Sequence, residues 1–375
     1  MARQTVQGGT LRRLRAYSLL LLAAAILIGG CLAARYYLSL PTLGFSFGAT
    51  DQVGEVEPGG PAELAGMTLG DRVVRMDGVS PLAGQPYVRH GQRAVALEVE
   101  RNGQILALTI APDPLSVRDR LNRIGYLLSA GTFWAMAAAV LVFKPHDSTA
   151  QVLILGLLLA AFGLVVLLLA DVGLGWASLL TNSTVLALGS ILVYLHTIFP
   201  ERIQFRGKRV LLSLLYAISL SLMLAVGLGR LVFHAAWTTP AINASKAFFA
   251  ACVLVAVALM ARTYFGATHR GARRQIGIIA LGMVLALLPL IIFILLPQIV
   301  PNLRYLTVWP AFLALACIPA SYLYAIFRYD LMRIDRVVSQ SVARFLLFLL
   351  LRCDRPVFSS LFRLLTDQIE ELLSR

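Results

Sequence analysis

Charge is scarce in this sequence, and cysteine almost absent. Only 14% of the 375 residues are Asp, Glu, Lys or Arg, while 58% are hydrophobic. With a mean hydropathy of +0.78, that composition excludes a soluble globular domain as the whole chain. The four cysteines, Cys31, Cys252, Cys317 and Cys353, stand far apart. None falls between residues 41 and 112, where the sequence turns polar, so a disulfide-stapled ectodomain is excluded and no metal-type cysteine pair exists. For three of the four, the reading is a small residue packed inside a helix.

Catalytic patterns are missing as well. None of His90, His146, His196, His234 and His269 belongs to an H-E-x-x-H pattern, and there is no G-x-S-x-G, Ser-Lys or P-loop motif. No metal, no cofactor and no catalytic residue is expected, and the chain as it stands reads as a non-enzyme. His196, just before "TIFPE", reads as a snorkelling or capping residue at a helix end. Ionisable residues are also absent from the centres of the apolar runs. Asp171, Arg230 and Lys246 stand near their ends, which argues against a coupled transporter.

What the chain does have is apolar runs of membrane-crossing length. The first, "AYSLLLLAAAILIGGCLAARYYL", follows Arg12, Arg13 and Arg15 and reads as a signal anchor with a cytoplasmic basic end. The alternative is a lipoprotein-type signal ending at Cys31. Seven more candidate spans follow, at about 122–143, 152–170, 177–199, 210–232, 245–264, 276–299 and 305–327. Pro289, Pro310 and Pro319 predict kinks in the last two. Eight spans with both termini inside place thirteen Lys and Arg before the tail in the cytoplasm. The outside loops then hold seven, leaving out residues 41–112.

The formal charge of +14 does not point to nucleic acid. Residues 41–112 hold five Arg against eight Asp or Glu and are net negative. The basic excess lies in short loops beside apolar runs, where membrane lipid with anionic headgroups is the natural partner. In the tail, "SVARFLLFLL" is too short to span alone and reads as interfacial or re-entrant. After Pro356, Phe358, Leu361, Phe362, Leu365, Ile369, Leu372 and Leu373 repeat at helical spacing, which predicts an amphipathic helix.

The polar stretch reads as a compact β-rich domain of about 70 residues. "AVALEVERNGQILALTIAP" predicts a hairpin turning at Asn102-Gly103. "GGPAELAG" predicts one helical turn opened by Pro61 and closed by Gly66. Gly70-Asp71 and Asp77-Gly78 predict tight turns.

"TLGFSF" followed by "VGEVEPGGPAELAGMTLGDRVVRMDGV" resembles a PDZ domain, with the Gly-Gly-Pro-Ala-Glu, Ala-Gly and Gly-Asp-Arg-Val elements in order. The resemblance implies that Leu43, Gly44 and Phe45 form a loop for a peptide's terminal carboxylate. Ser46 and Phe47 would form the strand edge that pairs with the peptide. The helix that walls such a groove would fall in "VSPLAGQPYVRHGQRA", where Gly84, Pro86 and Gly91 shorten it. Packing of the domain on the bundle without ligand is the alternative to peptide binding.

"HTIFPER", "GARRQIGIIALG" and "IPASYLYAIFRYDLMRIDRVV" resemble the bacterial seven-helix sensor module of sensor histidine kinases and some serine phosphatases. That likeness implies a sensor whose catalytic domain would follow, yet only forty residues come after Asp335.

The expected fold class is thus a multi-domain membrane protein: an α-helical bundle of about eight helices carrying a small extracytoplasmic PDZ-like domain. Its parts are residues 1–40, the N-terminus and first helix; 41–112, the PDZ-like domain; 113–327, the bundle; and 328–375, the cytoplasmic tail. The expected function is an inner-membrane receptor or scaffold. It would take a C-terminal peptide or envelope protein outside and bias a cytoplasmic signalling protein through Arg328, Tyr329, Asp330, Asp335 and Arg336. A truncated kinase or phosphatase and a PDZ adaptor for a membrane protease are the alternatives, and homodimerisation stays open.

Overall fold

A computed structural model of the chain describes residues 2–38, 40–47, 52–79, 94–171, 175–199, 203–229, 238–266, 270–295 and 308–328. Met1–Ala325 is one compact unit and Ile326–Arg375 a second. Of the second, only the end of the last helix is described. Tyr329, Asp330, Asp335, Arg336, the amphipathic tail, Cys353 and the expected groove helix lie outside the described residues.

The chain opens with helix α1 (Ala2–Tyr37). The β-rich segment follows as β1 (Phe45–Phe47), β2 (Val53–Val56), the single turn α2 (Pro61–Leu64), β3 (Arg72–Met76), β4 (Val95–Arg101) and β5 (Gln104–Ile110). Then come α3 (Val117–Phe143), α4 (Ser148–Asp171), α5 (Gly175–Ile198), α6 (Lys208–Leu228), α7 (Thr238–Gly266) and α8 (Arg270–Leu290). A π-helical turn (Ile291–Leu295) precedes α9 (Trp309–Leu315) and α10 (Cys317–Arg328).

Among the described residues, seven helices are long and apolar enough to cross a membrane: α1 and α3 to α8. This is a multi-pass membrane protein. Their outward faces carry large apolar side chains such as Leu21, Leu254 and Phe265, each more than two-thirds exposed, which only lipid can cover without a hydrophobic cost. The expected eighth span differs. Its described part, Trp309–Ala325, is shorter than the other seven and breaks between α9 and α10. Pro319 explains the break: it has no N–H, and its ring crowds the carbonyl four residues earlier, at Leu315. Pro289 likewise stands one residue before the end of α8, ahead of the π turn.

The β segment forms two small antiparallel sheets, β1-β2 and β3-β4-β5. The Asn102-Gly103 turn joins β4 to β5 in the expected register, Arg101 opposite Gln104, with both turn residues at positive φ. β4 alternates cleanly: Val95, Leu97 and Val99 point inward and Ala96 outward. They meet Val53, Ala62, Met67, Val73 and Ile110 in one core. The sheets are tied by backbone bonds from Val53 N–H to the Asp71 carbonyl (2.8 Å) and from Gly70 N–H to the Val53 carbonyl (2.9 Å).

Asp71 is the polar exception in that core. Its carboxylate accepts two bonds from Arg101 (both 2.7 Å) and two from Thr68 (2.8 and 3.1 Å). Burial by itself pushes the carboxyl up, but the bonds from Arg101 and Thr68 outweigh it and hold it below the ordinary value. A depressed folded-state pKa stabilises above the unfolded pKa, and the stabilisation is lost as pH falls through the folded one. Asp71→Ala is therefore expected to cost about 3 kcal/mol at pH 7, with the difference closing in acid. Hydrogen exchange of β3 and β4 amides in the full chain measures it, as a loss of protection of about a hundredfold.

Candidate functional site

The five expected peptide-site residues lie together in chain order. Leu43 is buried in the β core and Phe45 packs on it. In β1, Phe45, Ser46 and Phe47 stand opposite Val56, Glu55 and Val53, with a bulge between Ser46 and Phe47. β2 is the one strand paired with β1 among the described residues.

Gly44 turns the loop. Its φ is +74°, and a Cβ there would lie 2.8 Å from Pro61 Cδ and 3.1 Å from Pro61 N, so only glycine lets α2 come this close. The Gly44 amide donates to Thr42 Oγ1 (3.1 Å), and its carbonyl accepts from Glu57 N–H (2.8 Å). The middle amide of the expected carboxylate loop is thus already engaged. The Thr42 hydroxyl that accepts it keeps its own O–H to donate, so an incoming oxygen could be met by hydroxyl as well as amide.

The field around this loop is negative. Burial raises the Glu57 carboxyl, and the neighbouring charges of Asp119, Glu55 and Asp113 raise it further, with Arg118 opposing them. Arg118 pairs with Glu55 at 3.1 Å. A raised acid is disfavoured in its ionised form, a penalty absent in acid and incurred as pH rises through the pKa. Glu57→Gln should therefore raise the melting temperature of the full chain at pH 7 and leave it unchanged well below pH 4.5, the ordinary glutamate value.

The β segment is clasped where it meets the bundle. Thr42 and Asp113 exchange backbone bonds of 2.9 and 3.0 Å, closing the segment's two ends. Ser116 then caps α3, its Oγ accepting from Asp119 N–H at 3.1 Å. This cap starts α3 at Val117, five residues before the expected boundary at 122.

The start of α3 carries the junction. Arg118, Asn122, Gly125 and Ser129 are spaced four, three and four apart, which puts them on one stripe of α3. Arg118 reaches β2 through Glu55. Asn122 Oδ1 accepts from Val308 N–H (3.0 Å) and Trp309 N–H (3.1 Å), capping the start of α9. A Cβ on Gly125 would sit 3.0 Å from Trp309 Cβ, and the Ser129 hydroxyl bonds the Phe312 carbonyl. Tyr126 packs its ring on Phe312 at 3.8 Å between centroids.

On a neighbouring face, Arg123 is buried. Its Nη1 donates to the Tyr37 carbonyl (2.6 Å) and the Leu40 carbonyl (3.0 Å), and the guanidinium lies 4.3 Å over the Tyr37 ring. The first three turns of α3 therefore hold the exit of α1, strand β2 and helix α9 at once. Arg118 and Arg123 are two of the seven basic residues that the charge distribution assigns to outside loops. The available signal was that Arg123 falls inside the expected span 122–143, where an ionisable side chain requires a partner.

The reading of His196 as a snorkelling or capping residue at a helix end is corrected in part: it stands in the last turn of α5, but its ring turns inward toward α10 and not outward to the surface. His196 and Tyr322 are both buried. His196 Nδ1 bonds the Leu192 carbonyl at 2.8 Å, and its Nε2 meets the Tyr322 hydroxyl at 2.9 Å. With Nδ1–H donating to a carbonyl, Nε2 is left to accept the Tyr322 O–H. This contact joins α5 to α10 six residues before Arg328. Of the expected relay residues, Arg328 is the last residue of α10; the other four lie outside the described residues. No family model matches the chain, and no solved structure matches its fold.

Proposed function

We propose that the chain is a membrane receptor whose PDZ-like segment, residues 41–112, takes the C-terminus of a peptide, and whose helix α3 transmits the occupancy to α9 and α10. The observation that carries this reading is the stripe Arg118–Asn122–Gly125–Ser129. One rigid helix touches β2, the strand beside the expected carboxylate loop, and α9, after which the chain runs through α10 into the segment Arg328–Arg336. A shift of α3 relative to α9 must break or remake the Asn122 cap, so the two ends cannot move independently.

The acidic surround of Glu55, Glu57, Asp113 and Asp119 adds a specificity. A peptide with Lys or Arg upstream of its carboxylate gains attraction where an acidic one is repelled. Basic C-terminal decapeptides should bind the full chain in nanodiscs with dissociation constants on the order of micromolar. Amidation of their C-terminus should abolish binding, and so should Gly44→Ala. If no free-carboxylate peptide binds in preference to its amide, the peptide reading fails. If peptides bind but hydrogen exchange in residues 309–328 does not change, the relay fails while the site stands.

A further inference from the structure

A cavity of about 700 Å³ lies between the start of α4, the last turn of α5 and the loop leading into α6. Its wall includes Ser148, Thr149, Tyr194, Gln204, Lys208 and Arg209. These are three hydroxyls, an amide and two cations, and among the described residues no carboxylate lines it. The nearest acid in sequence, Asp147, is committed to α4, its Oδ1 accepting from Thr149 N–H and Ala150 N–H (both 2.8 Å).

The two cations are in different states. Lys208 Nζ donates to the Thr197 and Ile203 carbonyls, both at 3.1 Å, so it is held in place and satisfies carbonyls at and just beyond the end of α5. The Arg209 side chain is exposed and makes no ion pair or hydrogen bond among the described residues, and the same holds for the Gln204 amide. Donors without acceptors therefore converge on a concave surface with net positive charge. That chemistry suits an anion with several acceptor oxygens, such as a phosphate ester, better than a two-oxygen carboxylate.

The surroundings favour a lipid as its source. The apolar span of α6 begins at Lys208, so the cavity opens at a membrane boundary. Directly along α6, Val210, Leu214 and Ile218 succeed one another every four residues, and all three are exposed. This is one continuous apolar track that an acyl chain can follow while its headgroup fills the cavity.

We propose that this cavity binds the phosphate headgroup of an anionic phospholipid, with Arg209 and Gln204 as its free donors and Lys208 as the fixed positive charge beneath. The site does not depend on the receptor reading above. The test uses the full chain in detergent, with phosphatidylglycerol and phosphatidylcholine compared by native mass spectrometry. Phosphatidylglycerol should be retained in preference. Arg209→Gln should weaken that retention about tenfold, while Arg262→Gln, which removes an exposed arginine of α7, should change it less than about twofold. Equal losses in the two variants would mean generic surface charge and overturn the site. Binding of inorganic phosphate without lipid preference would overturn the lipid assignment. A melting temperature of Arg209→Gln equal to wild type in phosphatidylcholine shows that the variant is folded.

Discussion

Gly282→Val is expected to detach α10 from α8 and to prevent assembly of the bundle's C-terminal part. A Cβ at Gly282 would overlap the Ser321 side chain and lie 2.7 Å from the Cys317 carbonyl oxygen. Backbone, not only a flexible side chain, stands in its way. The helices touch here because glycine removes the side-chain layer that normally separates them, the usual device where lipid supplies no hydrophobic drive between helices. Overpacking a fitted contact costs about 1–3 kcal/mol, and more where backbone must shift, so the valine variant should lose at least about 3 kcal/mol. Thermal unfolding in detergent and cysteine crosslinking between α8 and α10 both report it. Ser321→Gly in a Gly282→Ala background should recover part of the loss and not all, because the Cys317 carbonyl remains. A wild-type melting temperature for Gly282→Val would show that the close approach does not exist.

Arg123→Met should open the clasp between α1 and α3. The substitution keeps an apolar stem but leaves the Tyr37 and Leu40 carbonyls without the Nη1–H they share. A buried acceptor that loses a charged donor costs about 2–4 kcal/mol, and the stacking on Tyr37 is lost with it. The amides of Tyr37, Leu38, Leu40 and Thr42 in the full chain should then exchange about a hundredfold faster. Arg123→Lys should fall between, since an ammonium can donate to both carbonyls as Nη1 does but lacks the guanidinium plane that lies over the Tyr37 ring. Unchanged exchange in Arg123→Met would place the strength of the clasp elsewhere, in the Thr42–Asp113 bridge.

Much of the architecture was legible locally. The Asn102-Gly103 hairpin, the Pro61 helical turn closed near Gly66 and the apolar spans each rest on a few adjacent residues whose φ preferences or apolar content dictate the local shape. One boundary was missed locally too. α3 begins at Val117 because the Ser116 hydroxyl satisfies a free helix amide, a cap that a hydropathy boundary at 122 does not register. The break in the last span, by contrast, falls where Pro319 predicts a kink, four residues after the carbonyl it crowds.

The candidate site was legible only as a loop. Leu43 to Phe47 stand out as a motif, but the acidic field around Glu57 gathers residues from β2, the β5–α3 linker and α3. The stripe on α3 was written in the spacing 118, 122, 125, 129, yet nothing in that spacing says it faces Trp309 and Phe312. His196 looked like a capping residue until Tyr322, 126 positions later, was found against it.

Composition and periodicity alone settled that this chain crosses a membrane several times and carries a small polar β segment after its first helix. Both follow from solvation, since each residue's preference for water or lipid acts wherever it sits in the chain. The tertiary structure decided how the β segment is clasped to α3 and how α3 grips α9, along with the cavity at Arg209. Those depend on directed hydrogen bonds and interhelical approaches between residues up to 187 positions apart, whose partners no local pattern specifies.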